Sequence, residues 1–88
     1  MKLIMCILKD EDKDSVSRGL NQAGYSATVM PSTGAYFRRG NATLMVGVED
    51  EEVQPAIEVI KENCAPPEKE GQKRATVFVL NVDRFEKV

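Results

Sequence analysis

The sequence of 88 residues has no histidine and no tryptophan, only two cysteines, and only 6% aromatic residues. Without histidine there are no imidazole metal sites, no Ser-His or Cys-His nucleophile pair, and no general base of the commonest kind. Cys6 and Cys64 lie in different segments and match neither a CxxC motif nor a zinc-ligand spacing. Both fall at apolar positions, and packing is the expected role, because free cysteine is among the most buried residue types. A large excess of one charge is also missing. Fourteen acids against twelve bases give a formal charge of −2, which excludes a general binder of nucleic acid or anionic membrane. The apolar run Leu3 to Leu8 is too short to span a bilayer, and the acidic segment after it has no signal-peptidase site. A cytoplasmic, reduced protein without membrane insertion is expected. There is no P-loop, GxGxxG motif, EF-hand or nucleophile elbow, so neither an enzyme nor a cofactor is expected, and no catalytic or metal-ligating residues are assigned.

What remains is an ordinary globular composition, 42% hydrophobic and 30% charged. One small domain over residues 1–88 is expected, burying about 60–65% of its unfolded surface. Leu3 to Leu8 shows no alternation and reads as a strand buried on both faces. Asp10-Glu11-Asp12 supplies N-cap chemistry for a helix over about residues 12–23, in which Val16, Leu20 and Ala23 recur at helical spacing. Gly19 inside that helix costs roughly 1 kcal/mol against alanine, and Gly24 stands where a left-handed C-cap belongs. Tyr25 to Met30 and Thr43 to Val48 read as strands. The acidic Glu49-Asp50-Glu51-Glu52 opens a second helix with the stripe Val53, Ala56, Ile57, Ile60 and Cys64. Pro55 is tolerated if that helix begins near Glu52. Ala65-Pro66-Pro67 ends it, Glu68 to Arg74 is a loop, and Ala75 to Val82 is a β-branched final strand.

The order β-α-β-β-α-β is that of an α+β, ferredoxin-like sandwich: a four-stranded antiparallel sheet with two helices on one face. Right-handed crossovers place the first and third strands centrally and the second and fourth at the edges. One sheet face and two edge strands are then uncovered, which favours oligomerisation.

The segment from Thr28 to Asn41 concentrates aromatic, arginine, hydroxyl and glycine residues in one strand connection. Tyr36 and Phe37 offer faces for a flat ring, and Arg38 and Arg39 offer forked donors for phosphate. Gly34 and Gly40 let the backbone approach a ligand closely. A hairpin with a hydrophobic plug and a solvated basic tip has the same composition. Gly47 inside an apolar strand marks a bulge, a close backbone approach, or a packing gap opposite a large side chain. Asn41 either completes a turn with Gly40 or reads a nucleobase edge. Phe78 has core packing as its default role. Lys73 and Arg74 are a solvated loop end or phosphate partners. The two acidic clusters are explained by helix capping without any chemistry.

With these residues in view, the chain resembles the PII-like cyclic di-AMP receptor proteins of bacteria. The resemblance rests on Met1-Lys2-Leu3-Ile4, Asp10-Glu11-Asp12 and Ala27-Thr28, and on the run from Ser32 through Gly34, Tyr36, Gly40 and Asn41 to Thr43. Gly47 to Val53 and the closing stretch Ala75 to Phe85 complete it. It implies a homotrimer of ferredoxin-like subunits with three ligand sites at the subunit interfaces. Nucleotide binding there would rearrange loops and alter contacts with a partner protein, without turnover. The resemblance gives Thr28 and Asn41 polar contacts to the ligand, Tyr36 and Phe37 packing against adenine, and Gly47 a backbone contact. It makes Phe78 an aromatic supplied across the interface. Gly34, Ala35 and Arg38 belong to the same ligand loop. Ser26 stands where relatives usually carry arginine, Ala35 where glycine is common, and Ala65 to Arg74 where the relatives' connection is long and glycine-rich. The expected function is signal transduction through cyclic di-AMP. The alternatives are binding of another adenine nucleotide, or an interaction trimer with no small ligand; a small enzyme of the same fold comes last.

Overall fold

The computed structural model describes residues 1–30, 40–66 and 73–88. Along these residues the order is β1 (Lys2–Lys9), α1 (Lys13–Gln22), β2 (Ala27–Met30), β3 (Asn41–Val48), α2 (Val53–Asn63) and β4 (Ala75–Asn81). The sheet order is β2-β3-β1-β4, every neighbouring pair is antiparallel, and the chain has the ferredoxin-like arrangement. The central places fall to β1 and β3, the two strands with continuous apolar runs, as the crossover rule requires.

Strand alternation separates two unlike faces. On one, Ile4, Cys6 and Leu8 of β1 and Leu44, Val46 and Val48 of β3 are buried with Val16, Leu20, Ala56 and Ile60 of the helices. On the other, Leu3, Met5 and Ile7 are only half-buried. The expectation that β1 is buried on both faces is therefore corrected. The run is apolar on both sides, but the helices cover one side only.

Local chemistry sets the element ends. Gly24 has φ +95° just beyond α1, in the left-handed region that favours glycine. Gly19 lies under Asn63: a Cβ added there would overlap the Asn63 side-chain amide. Its helix-propensity cost thus permits close approach of α1 and α2. Pro55 is the third residue of α2, in the first turn where no intrahelical donor is lost.

The two acidic clusters behave differently. Each forms a single 3-10 turn, over Asp10–Asp12 and Asp50–Glu52. Glu49 and Glu52 make a reciprocal capping box, with the Glu49 N–H donating to Glu52 Oε1 at 3.1 Å. Asp12 occupies the N-cap position of α1, yet its side chain makes no capping bond. Its Oδ1 instead accepts from the Ala65 N–H at 3.3 Å. The capping role expected of the first cluster is therefore corrected for Asp12.

Candidate functional site

The sheet register places Thr28, Asn41, Gly47 and Phe78 on one face of the sheet, the face opposite the helices. Thr28 pairs with Met45, Met45 with Met5, and Met5 with Phe78, forming one row across four strands. Gly47 pairs with Leu3, and Asn41 with Lys9, on that same side. Gly34, Ala35, Tyr36, Phe37 and Arg38 lie outside the described residues.

A common face does not make one pocket. Thr28 and Gly47 line a cavity of about 380 Å³ together with Leu3, Ser26 and Met45, closed by Met1, Val82 and Phe85. Its floor is the pleated sheet, and its polar side chains are the Ser26 and Thr28 hydroxyls. Asn41 lies about 14 Å along β3 from Met45, at 3.4 Å per residue. It lines a separate depression with Lys9, Asp10, Glu11 and Gly40. Phe78 lies three strands from Thr28, about 14 Å at the usual strand spacing. It is 50% exposed, which removes the core-packing reading for this residue. Together with Leu80 and Val79 it leaves the β4 edge strongly apolar and exposed.

Gly47 forms no bulge, since the β1–β3 register runs unbroken from Lys2↔Val48 to Lys9↔Asn41. Instead, the terminal methyl of Met1 lies 3.1 Å from where a Gly47 Cβ would stand. Met1 is fixed there by its amino group, 3.2 Å from Asp50 Oδ1, and by its carbonyl, which accepts from the Val82 N–H. The glycine is thus a close approach, one of the alternatives open from sequence. Met1, Met45, Val82 and Phe85 are cavity walls that sequence reasoning missed, because chain ends folding across a sheet leave no local pattern. Thr43 was missed as well. On the open face of β3 it is 1% exposed, and its hydroxyl is buried without a hydrogen-bond partner. A hydroxyl in an otherwise apolar strand was the available signal.

Lys73 and Arg74 are elsewhere, at the corner between α2 and β4. There the Arg74 guanidinium donates to the Lys61 carbonyl at 3.4 Å, near the end of α2. Both cysteines are buried and unbridged, as their apolar positions predict. Burial, with the neighbouring Cys64 adding, pushes the Cys6 thiol up to about 12. Burial and then the Asp12 carboxylate raise that of Cys64, opposed by Arg74. Thiols held protonated are poor nucleophiles. Among the described residues no cluster of acids and cysteines is arranged to hold a metal ion, and no helix is long and apolar enough to cross a membrane.

Residues 1–70 match the family model described as the cyclic-di-AMP receptor. The chain belongs to the cyclic-di-AMP receptor family. It also superimposes on the crystal structure of a functionally unknown protein from Pediococcus pentosaceus ATCC 25745, with a TM-score of 0.81 and 33% identity. That likeness covers 99% of this chain and 96% of the other. Membership in a receptor family supports nucleotide binding and signalling as the general role.

Proposed function

We propose that this protein is a cytoplasmic bacterial signal protein. Three copies associate through their open sheet faces and bind cyclic di-AMP between them, without turning it over. The observation that carries the reading is the coincidence of Thr28, Asn41, Gly47 and Phe78 on that face, in a chain whose family binds this nucleotide. The apolar cavity beside Thr28 and Gly47 suits one adenine ring, with two hydroxyls to orient it. Within one chain Phe78 stands about 14 Å from Thr28, on the opposite edge strand. In a closed ring of copies, however, the β4 edge of one can reach the β2 edge of the next. The aromatic and arginine residues Tyr36, Phe37 and Arg38, with Gly34 and Ala35, complete the site on this reading. Rearrangement of the loops on binding passes the signal to a protein target.

A second reading, binding of another adenine nucleotide, is favoured by one observation. Among the described residues lining the Thr28–Gly47 cavity no side chain is charged, and Ser26 offers only a hydroxyl, so the cavity selects for an adenine ring and not for one phosphate arrangement. Isothermal titration with cyclic di-AMP, cyclic di-GMP, ATP and ADP separates these. Heat with cyclic di-AMP alone is expected; heat with ATP or ADP in its place selects the second reading. No heat with any of the four sinks the nucleotide sensor and leaves an interaction trimer.

A further inference from the structure

Asp12 is the one charged side chain that is buried among the described residues, 6% exposed. It stands at the N-cap of α1, where an aspartate ordinarily accepts from the first free N–H groups of its own helix. It forgoes that bond and reaches across the fold to the Ala65 N–H, at the start of the connection between α2 and β4. The other end of the same turn is tied as well. The Asp10 N–H donates to the Gly40 carbonyl at 2.7 Å, immediately before Asn41. Asp10 and Glu11 also wall the depression that contains Asn41. The three-residue turn therefore touches the candidate ligand face at one end and the α2–β4 connection at the other.

We infer that the Asp10–Asp12 turn is the mechanical link between the two connections, with Asp12 as its positioning residue. The inference rests on the ligand reading above. A ligand engaging Asn41 bears on Gly40 and Asp10, and the turn carries that displacement to the Asp12 carboxylate and so to the Ala65 amide. Coupling of this kind needs a ligand to favour one position of the turn over another. It must also be reciprocal, so loosening Ala65 must alter ligand affinity by the same factor. The contact spans 53 positions, and it leaves the Asp12 carboxylate aimed at the α2–β4 connection, since its backbone is helical and the Lys13 N–H is already taken by the Asp10 carbonyl.

Hydrogen exchange on the full chain, in the wild type, Asp12→Ala and Asp12→Asn, tests this. Asparagine keeps the accepting oxygen and serves as the rescue. Without ligand, Asp12→Ala is expected to speed exchange of the Ala65 amide about tenfold or more, to speed Asp10 as well, and to spare the amides of β1. Asp12→Asn restores both. With saturating cyclic di-AMP, Ala65 protection changes in the wild type and in Asp12→Asn but not in Asp12→Ala, whose affinity differs about five-fold or more. An Asp10 amide indifferent to Asp12→Ala shows that the turn does not move as a unit and overturns the link. So does ligand protection at Thr28 and Gly47 with Ala65 unmoved. If cyclic di-AMP alters no amide in the wild type, the binding reading fails and the regulatory role falls with it, an outcome separate from the other two.

Discussion

Replacing Phe78 by alanine separates the sheet's two candidate lives, as a solvent-facing surface or as a buried interface. The ring is 50% exposed, which leaves about 100 Å² still open to a partner. At about 25 cal/mol per Å², covering it is worth ~2.5 kcal/mol per copy, roughly 50-fold in each contact. Three equivalent contacts multiply to roughly 10⁵ in a monomer–trimer constant. The half of the ring already packed on the sheet contributes about 2 kcal/mol or less to the chain itself, so folding survives. Sedimentation velocity across a thousand-fold range of concentration reads the difference. The wild type is expected to remain trimeric throughout, and Phe78→Ala to dissociate within the range while keeping its far-ultraviolet circular dichroism. An unchanged assembly in the variant refutes the reasoning, since it means that no partner covers Phe78.

Three further outcomes follow from the structure. Gly19→Ala gains about 1 kcal/mol of helix propensity but displaces the Asn63 amide, which donates to the Val59 carbonyl at 2.8 Å. It should therefore be near neutral alone and raise the melting temperature by about 4–8 °C in an Asn63→Ala background; equal effects in both backgrounds contradict the contact. For Cys6, the folded pKa is raised from 9.0 to about 12, so above pH 9 the unfolded chain loses the thiol proton first. The stabilisation from the protonated thiol is present below pH 9 and lost as pH rises towards 12. Urea midpoints should fall more steeply over that window in the wild type than in Cys6→Ala, and parallel slopes count against it. Ser26→Arg puts a cation on the rim of the Thr28–Gly47 cavity and should tighten cyclic di-AMP about tenfold by calorimetry; adenosine binding should not gain, and an equal gain for adenosine rules out a phosphate contact.

Much of the fold is legible in the sequence because its signals are local. The apolar runs of β1 and β3 name the central strands, and Gly24 marks the end of α1. Of the stripe Val53, Ala56, Ile57, Ile60 and Cys64 predicted for α2, Ala56, Ile60 and Cys64 are buried, while Val53 and Ile57 are half-buried. Failures occur where distant residues decide. An aspartate before a helix reads as a cap, and only the folded chain shows the Asp12 carboxylate turned to Ala65. Gly47 advertises unusual space, but the Met1 methyl that fills it comes from another strand's end. Apolar residues on both faces of β1 read as full burial, when among the described residues no helix covers the second face. The candidate site is legible as a set of residue types and as a family likeness. Its division among the Thr28–Gly47 cavity, the Asn41 depression and the Phe78 edge follows from strand register, which no local pattern encodes.

The central claim, that cyclic di-AMP sits on the open face of the sheet, is tested most directly by amide and methyl chemical-shift mapping of the full chain during titration with the nucleotide. The account predicts saturable shifts at Thr28, Asn41, Met45, Gly47 and Phe78, with little change at Val16, Leu20 and Ile60 on the helix side. Shifts confined to the helices, or no saturable shifts at any residue of the open face, contradict it.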